Sequence, residues 1–462
     1  MSNNILNSLT LTLKDHPSKT WDIDVQIAYS TLFKEYANKL DLTGEQIKSR
    51  YNLFMHLYKD CIDEKVSFSE AKKKIRKNIF ITLKDDKKIK CFYPKYLLFI
   101  DLVWLYQGVL PEHITTAYIK DTKLSQSDYK KLQTLADLLL NSQIDQIATL
   151  QQETLKSKKF GSLEYYINQI KGHQHHSQLL EKHIPVVATM SSGKSTFLNA
   201  ICDTDIFPTK NTACTAKSTS YKYNRYLDHI IGCARKRDGE YLYEGIVTKD
   251  TLTEWNDDPS IESIHLEGNI DWIDSDSPVN AVFYDTPGTN YSQDASHQQI
   301  TIDFLKSSHS DLILYLINAT QIATEDDKWL LKSVQSITSK QNTKFLFLLN
   351  QVDKFDLEAN DDLTTSLNQL KTYIQSCQVN QFEIIPISAY AAKLFRWANR
   401  DIPLGRKEQR DLTDMLEIFS EEAYNLPQYC SFMAHDDTSQ DKSYIRTNLP
   451  LVTQYIQSSL NT

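Results

Sequence analysis

Several hallmarks of common protein classes are missing from this chain of 462 residues. Its seven cysteines are scattered and include no C-x-x-C pair, which argues against a disulfide framework or a cysteine zinc site and indicates a reducing compartment. The first residues lack the basic and apolar segments of a secretory signal peptide. The longest apolar run, residues 96–106, covers about half a membrane span and contains Asp101, so it predicts a buried helix or core strand. We therefore expect a cytoplasmic protein.

A strong charge of either sign is missing as well. The formal net charge of −8 gives no general attraction to DNA or to anionic lipid. We therefore expect no nucleic-acid partner and, at most, a peripheral contact at the inner face of a membrane. The basic run at residues 72–77 is interpreted as a solvated helix face. No serine, histidine and aspartate stand in a recognisable catalytic framework, so nucleophilic catalysis has no support.

Glycine and proline are sparse in the first part of the chain, which favours helices. The segment at residues 125–142 places Tyr129, Leu132, Ala136 and Leu139 on one helical face, with Ser125 or Ser127 as a candidate N-cap. A break is expected at residues 106–113, where Gly108 and Pro111 fall. We predict an all-α N-terminal domain over residues 1–180, which acts as a neck or stalk or binds a partner.

The pattern changes near His183. Short apolar runs, typical of buried strands, now alternate with helical patterns: "IPVVAT", "VNAVFYD", "DLILYLIN", "TKFLFLLN" and "QFEIIPIS". This alternation predicts an α/β domain over residues 181–462, with a mostly parallel, doubly wound sheet that helices cover on both faces.

The first of these strands leads into "VVATMSSGKSTFLNA", which ends as a phosphate-binding loop. Such a loop turns successive N–H groups towards a phosphate chain at a helix N-terminus. The Lys194 ammonium would bridge the β- and γ-phosphates, and the Ser195 hydroxyl would bind Mg²⁺. Gly193 supplies the turn, with Ser192 and Thr196 beside it. Ala188 occupies the usual position of the first glycine, where a methyl group is unfavourable if the backbone needs a positive φ.

Three later strand ends complete a nucleotide site. Asp285, in "AVFYDTPG", can hold the hydration shell of Mg²⁺, and the N–H of Gly288 can meet the γ-phosphate. "FLFLLNQVD" ends with Asn350 and Asp353, and the Asp353 carboxylate would accept the two N–H donors of guanine, which adenine lacks. In "IIPISAY", a backbone N–H at Ser388 or Ala389 can reach the guanine carbonyl. Four motifs in this order are far more specific than any one of them.

Together these motifs resemble the GTPase superfamily and, within it, the bacterial dynamin-like proteins, over residues 184–462. The resemblance to dynamins lies in the serine two residues before Gly193, in the switch-like segment "FPTKNTACTAKSTSYKY", in "NATQIATEDDKWLL", and in the long segment between Gly193 and Asp285. It implies a P-loop GTPase domain with dynamin-type insertions behind the helical domain. GTP and GDP would be substrate and product, Mg²⁺ the cofactor, and a second copy of the chain the partner.

The resemblance also implies roles for individual residues. Thr215 would close over Mg²⁺, and Ser191 would orient a monovalent cation (K⁺ or Na⁺) and the attacking water in the dimer. Asp356 would reach the nucleotide of the facing subunit. The implied catalytic residues are Ser191, Lys194, Thr215 and Gly288, and the implied metal ligands are Ser195, Thr215 and Asp285. The remaining nucleotide contacts fall at Ser192, Gly193, Thr196, Asn350, Asp353, Asp356, Ser388 and Ala389.

Two further departures from the family pattern leave the activity open. Met190 stands where animal dynamins have a glutamine beside the catalytic serine, and Gln351 replaces a lysine whose stem stacks on the base, so we expect weaker nucleotide affinity. The main interpretation is a GTPase that couples dimerisation to movement of the helical domain, in membrane remodelling or vesicle-related processes. The alternatives are a slow GTP-dependent switch or scaffold, whose partner could be a second dynamin-like chain, and an ATPase with a degenerate base site.

The position of the helical segment is a further open point. Dynamins take neck and stalk helices from both sides of the GTPase domain, whereas this sequence ends with the predicted last helix of that domain. Either stalk helices are missing from the sequence given, or the helices of residues 1–180 form a different accessory domain.

Overall fold

A computed structural model provides the structure of the chain. It describes residues 21, 23–40, 51, 66–76, 81–85, 88–92, 94–106, 108–140, 179–208, 217–225, 227, 230–239, 241–244, 247–274, 277–286, 301–302, 305–306, 309–338, 343–355, 362–430 and 441–461. The chain divides into two compact units. The first contains Met1–Gln178 with the short segments Tyr226–Gly232 and Tyr243–Ile246, and the second contains the rest. The functional roles predicted for the domains remain predictions.

The first unit is mostly helical. Its described helices are α1 (Ile23–Ala37), α2 (Phe68–Arg76), α3 (Pro94–Tyr106), α4 (Glu112–Thr122) and α5 (Gln126–Leu140). The longest apolar run forms the buried helix α3, and the chain breaks between α3 and α4 as the sequence predicts. An antiparallel hairpin of β1 (Ile81–Asp85) and β2 (Lys88–Phe92) lies between α2 and α3. The helical pattern did not predict this hairpin.

Polar side chains join the helices of this unit. The Tyr29 hydroxyl of α1 donates a hydrogen bond to the fully buried Asp101 of α3, which explains how α3 accommodates a carboxylate. Residues 72–76 of the basic run lie on α2, as predicted. Lys72 forms an ion pair with Asp121 of α4 (3.2 Å), and Arg76 Nε donates to the Asp121 carbonyl (2.7 Å), so part of the run packs against α4 instead of facing only solvent.

A nine-stranded sheet has the order β11-β10-β9-β3-β8-β4-β7-β5-β6. The strands β3, β8, β9, β10 and β11 are parallel, β4 pairs antiparallel with β8, and β7 pairs parallel with β4. Their bounds are β3 Leu180–Ala188, β4 Ser218–Tyr223, β5 Ile231–Lys236, β6 Tyr241–Glu244, β7 Ile261–Gly268, β8 Val279–Asp285, β9 Leu312–Asn318, β10 Lys344–Asn350 and β11 Phe382–Ile387. The predicted mostly parallel sheet is confirmed.

Helices alternate with these strands along the chain. They are α6 (Lys194–Ile201), α7 (Lys249–Asp257), α8 (Glu325–Thr338), α9 (Leu363–Ser376), α10 (Ala389–Asn399), α11 (Arg406–Ile418), α12 (Lys442–Arg446) and α13 (Leu449–Leu460). Short 3₁₀ turns lie at Val352–Lys354, Glu422–Tyr424 and Leu426–Tyr429.

The centre of the sheet is buried on both faces. All residues of β8 and β9 are buried, as expected for parallel strands that helices cover on both sides. Tyr315 of β9 and Phe347 of β10 pack together in one core cluster with residues of α8 and α9. Rigid central strands of this kind fix the positions of the loops at their carboxyl ends, where α/β sheets bind ligands.

Candidate nucleotide-binding site

The predicted site residues meet at the carboxyl edge of the parallel strands. The loop after β3 contains Ser191, Ser192 and Gly193, and its helix α6 begins with Lys194, Ser195 and Thr196. Asp285 ends β8, Asn350 ends β10 with Asp353 in the following 3₁₀ turn, and Ser388 and Ala389 follow β11. Thr215, Gly288 and Asp356 lie outside the described residues, so their predicted roles stay predictions.

The backbone of the phosphate loop explains the alanine at its start. Ala188 is the last residue of β3, where it pairs with Leu316 of β9, and its backbone is extended. A methyl group therefore causes no backbone strain at this position. The positive φ values of the loop fall at Ser191 (62°) and Gly193 (84°). A left-handed conformation at a non-glycine residue costs roughly 1–2 kcal/mol, so Ser191 is the strained residue of the loop.

Gly193 is required by space as well as by its φ. A Cβ at this position would lie 2.6 Å from Asn350 Nδ2 and 3.3 Å from Gln351 Nε2. The base loop after β10 thus packs directly on the phosphate loop, and a larger residue at position 193 would push the two loops apart.

Lys194 and Asp285 form a buried ion pair between these strand ends. Lys194 Nζ donates to Asp285 Oδ1, and the two side chains are only 7% and 1% exposed. The pair balances a buried charge that would otherwise be strongly unfavourable. The lysine ammonium and the carboxylate are the two groups expected to face the phosphates and the metal, and here they neutralise each other.

The oxygen donors at this end of the site fit Mg²⁺. Ser195 lies in the first turn of α6, and the Asp285 carboxylate is held at the end of β8 by its contact with Lys194. Mg²⁺ prefers hydroxyl, carboxylate, phosphate and water oxygens, and it commonly takes only one or two ligands from the protein. Ser195 and Asp285 would supply those ligands.

Asn350 connects the two halves of the site. Its Nδ2 donates to the Ser192 carbonyl (2.8 Å), and its Oδ1 accepts from the Ala389 N–H (3.1 Å). The buried amide therefore joins the phosphate loop, the end of β10 and the start of α10. The Ala389 N–H, which was predicted to contact the guanine carbonyl, is engaged by Asn350 in this structure, so that contact stays a prediction.

Asp353 presents a buried acceptor beside this junction. Burial raises the pKa of the Asp353 carboxyl, and a hydrogen bond from Ser388 opposes that rise. Its Oδ1 is buried and has no hydrogen-bond partner among the residues that the structure describes. Buried carboxylate oxygens are normally satisfied, so an acceptor left open at a ligand edge fits a donor-bearing ligand such as guanine.

Part of this chain is similar to known proteins. The sequence model of the dynamin family matches residues 184–352, from β3 to the base loop. This part of the chain is therefore similar to the dynamin family. Among the similar proteins of Campylobacter jejuni, dynamin-like protein 1 is 24% identical over 325 residues, which cover 63% of this chain and 41% of that protein. Dynamin-like protein 2 is 27% identical over 212 residues, which cover 46% and 31%. The chain therefore matches less than half the length of each of these relatives.

One solved structure similar to this chain is an oligomerised bacterial dynamin pair, described as providing a mechanism for the long-range sensing and tethering of membranes. It aligns with 89% of this chain and 72% of its own chain, at 17% identity and a TM-score of 0.38. Within the described ranges, no helix combines the length and the apolar character needed to cross a membrane.

Gln351 makes contacts that the sequence did not predict. Its backbone is left-handed (φ 70°), and its Nε2 donates to the Ser191 carbonyl at 2.6 Å. Its Oε1 accepts from Lys354 Nζ, also at 2.6 Å. The sequence indicated only weaker nucleotide affinity from the glutamine, whereas the structure shows that its side chain holds the strained residue of the phosphate loop.

Asp327, at the start of α8, is a residue that sequence reasoning missed. It is 1% exposed, and Thr189 Oγ1 donates to its Oδ1 (3.2 Å). Thr189 in turn contacts Ser192 Oγ (3.1 Å), so the Asp327 carboxyl is linked to the phosphate loop through Thr189. Burial raises the pKa of Asp327 to about 6. The sequence held one local signal, the T-x-x-D helix start from Thr324, but the link to the loop depends on the tertiary fold.

Proposed function

We propose that this chain is a Mg²⁺-dependent GTPase that binds guanine nucleotides at the carboxyl edge of its parallel strands. The observation that carries the proposal is the buried, unpartnered Asp353 Oδ1 in the described part of the site, beside the phosphate loop that Asn350 holds in place. Guanine offers two N–H donors to such an acceptor, and adenine does not. The match to the dynamin family supports the same assignment.

Nucleotide binding would rearrange the ion pair at the phosphate end. The Lys194 ammonium would leave Asp285 for the β- and γ-phosphates, and Asp285 would then be available to the metal side of the site. Because both charges are buried, the phosphates and Mg²⁺ together replace each lost partner with a new one. Mg²⁺ would neutralise the charge that develops on the phosphates. The protein contributes mainly positioning and electrostatic stabilisation.

Assembly belongs to the same proposal. A second copy, or a second dynamin-like chain, would dock across the nucleotide face, and a monovalent cation (K⁺ or Na⁺) near Ser191 would complete the site. Ser191 is exposed at the tip of the phosphate loop, which leaves it accessible to a facing subunit. GTP binding and hydrolysis would then move the helical unit. The protein would contact a membrane peripherally while it does so. The match of residues 184–352 to the dynamin family supports this part of the proposal.

Binding and turnover measurements test the proposal. Calorimetry with GTP, GDP and ATP should show binding of the guanine nucleotides alone, and Asp353→Ala should remove that preference. Lys194→Ala should abolish binding, and unchanged binding by that variant would overturn the site assignment. Hydrolysis that rises with protein concentration and with K⁺ or Na⁺ supports the dimeric mechanism. Stoichiometric binding with negligible turnover supports the GTP-dependent switch.

A further inference from the structure

A chain of hydrogen bonds runs from the base loop to the phosphate loop. Lys354 Nζ donates to Gln351 Oε1 (2.6 Å), and Gln351 Nε2 donates to the Ser191 carbonyl (2.6 Å). Both ends of the Gln351 amide are therefore used. A charged donor on the amide oxygen polarises the amide and strengthens its N–H as a donor.

Local backbone geometry brings these side chains together. Val352–Lys354 forms a 3₁₀ turn in which the Lys354 N–H donates to the Gln351 carbonyl (3.1 Å). The Lys354 side chain reaches back across this turn to the Gln351 amide. The left-handed backbone of Gln351 (φ 70°) begins the turn. Asp353, the predicted guanine acceptor, is buried within the same turn.

The Ser191 end of this chain is the strained point of the phosphate loop. Ser191 has a φ of 62°, an unfavourable conformation for a residue with a Cβ. Such a conformation persists only where neighbouring groups hold it. The Gln351 bond to the Ser191 carbonyl is one such restraint, and the Asn350 bond to the Ser192 carbonyl is the next along the loop.

We propose that Lys354 is a positioning residue of the nucleotide site, which acts through Gln351 to hold Ser191 in its left-handed conformation. Gln351 and Lys354 together would join the base loop to the phosphate loop. The inference rests on the proposed guanine-nucleotide function.

A direct effect of Lys354 on Asp353 must be separated from this one. Lys354 is exposed, and an exposed polar contact commonly contributes little to stability. Burial raises the pKa of Asp353, whereas the charge of Lys354 is among the influences that lower it, so Lys354 could act on the carboxylate directly. Only the proposed route passes through the Gln351 amide.

A double-mutant cycle tests the route. The affinity for a fluorescent GDP analogue would be measured for Lys354→Met, Gln351→Met, the double variant and Lys354→Arg, with Lys371→Met as the control at an exposed lysine on α9. Thermal melting would confirm that each variant folds. We expect Lys354→Met to weaken binding roughly threefold to fivefold, Lys354→Arg to restore it, and Lys371→Met to leave it unchanged. In the Gln351→Met background, removing Lys354 should have no further effect.

The contrary outcomes are distinct. Additive losses in the double variant would show a direct effect on Asp353 or on the phosphates, and would overturn the inference. So would a Lys354→Met variant that behaves like Lys371→Met. Lys194→Ala should be measured in the same series. If Lys194→Ala loses binding while Lys354→Met binds normally, the inference about Lys354 fails but the proposed function stands. Normal binding by Lys194→Ala would reject the proposed function itself.

Discussion

Asn350 Nδ2 lies 2.8 Å from the Ser192 carbonyl oxygen, so the strand that carries the base loop directly holds the phosphate loop. The same amide accepts from the Ala389 N–H at 3.1 Å. Asn350 is buried, and the two bonds give it a structural role in addition to the base contact that its motif implies. One buried side chain therefore joins the two ends of the candidate nucleotide site.

Replacing Asn350 with aspartate should test this coupling. The carboxylate cannot donate to the Ser192 carbonyl, and it would bring a charge into a buried site. We expect a loss of roughly 2–4 kcal/mol in the free energy of unfolding and a large loss of GDP affinity. Chemical denaturation and calorimetry would measure the two effects. Asn368→Asp, on the exposed face of α9, should change neither, and a similar loss in that control would contradict the argument.

The Lys194–Asp285 pair leads to a prediction for the nucleotide-free protein. Lys194→Met would leave the Asp285 carboxylate buried beside an apolar side chain. Removing one partner of a buried pair costs about 3–5 kcal/mol, whereas replacing both partners is much less harmful. We therefore expect Lys194→Met to lower stability strongly and the further change Asp285→Leu to recover much of the loss. If the double variant were less stable than Lys194→Met, the lost ion pair would not explain the lower stability of Lys194→Met.

The raised pKa of Asp327 leads us to expect a pH dependence of stability. Its folded pKa of about 6 lies above the model-compound value of 3.8, because burial disfavours the carboxylate. The folded state therefore binds more protons than the unfolded state between these values, and stability falls as pH rises from about 4 to about 6. The difference amounts to at most roughly 3 kcal/mol.

Asp327→Asn should remove this part of the pH dependence. The variant should be more stable than the natural protein at pH 7–8 and similar to it near pH 4, as measured by denaturation across the pH range. Asp414→Asn, at an exposed position of α11, should keep the natural profile. Identical profiles of stability against pH for Asp327→Asn and the natural protein would show that Asp327 does not cause the pH dependence. GDP affinity of the same variant would show whether the Thr189 contact supports the phosphate loop.

The sequence predicts those parts of the fold that depend on local patterns. The run "VNAVFYD" coincides with β8, and the helical pattern at residues 125–142 coincides with α5, because buried strands and amphipathic helices have characteristic spacings. The β1–β2 hairpin was missed because its strands, "ITLKD" and "KIKCF", are short and rich in lysine.

Within the site, motifs indicate which residues matter but not how they contact each other. The sequence identifies Asp353 and Lys194 because their neighbours in the chain form known patterns. The bond from Gln351 to Ser191 joins positions 160 residues apart, and no local pattern encodes it. Asp327 was missed for the same reason, because its partner Thr189 lies 138 residues away.

Ala188 and Gly193, at the start and the end of the phosphate-loop motif, should differ in their response to substitution. Ala188→Gly would create the common form of the motif, yet Ala188 is buried and extended in β3, so glycine gains no backbone freedom that the fold needs. We expect unchanged GDP affinity and a loss of roughly 0.5–1 kcal/mol in stability. Gly193→Ala would combine a φ of 84° with a Cβ 2.6 Å from Asn350 Nδ2, so binding should be lost. Calorimetry of both variants would measure the GDP affinity, and thermal melting would measure the stability. Tighter GDP binding by Ala188→Gly would show that the alanine limits the site after all.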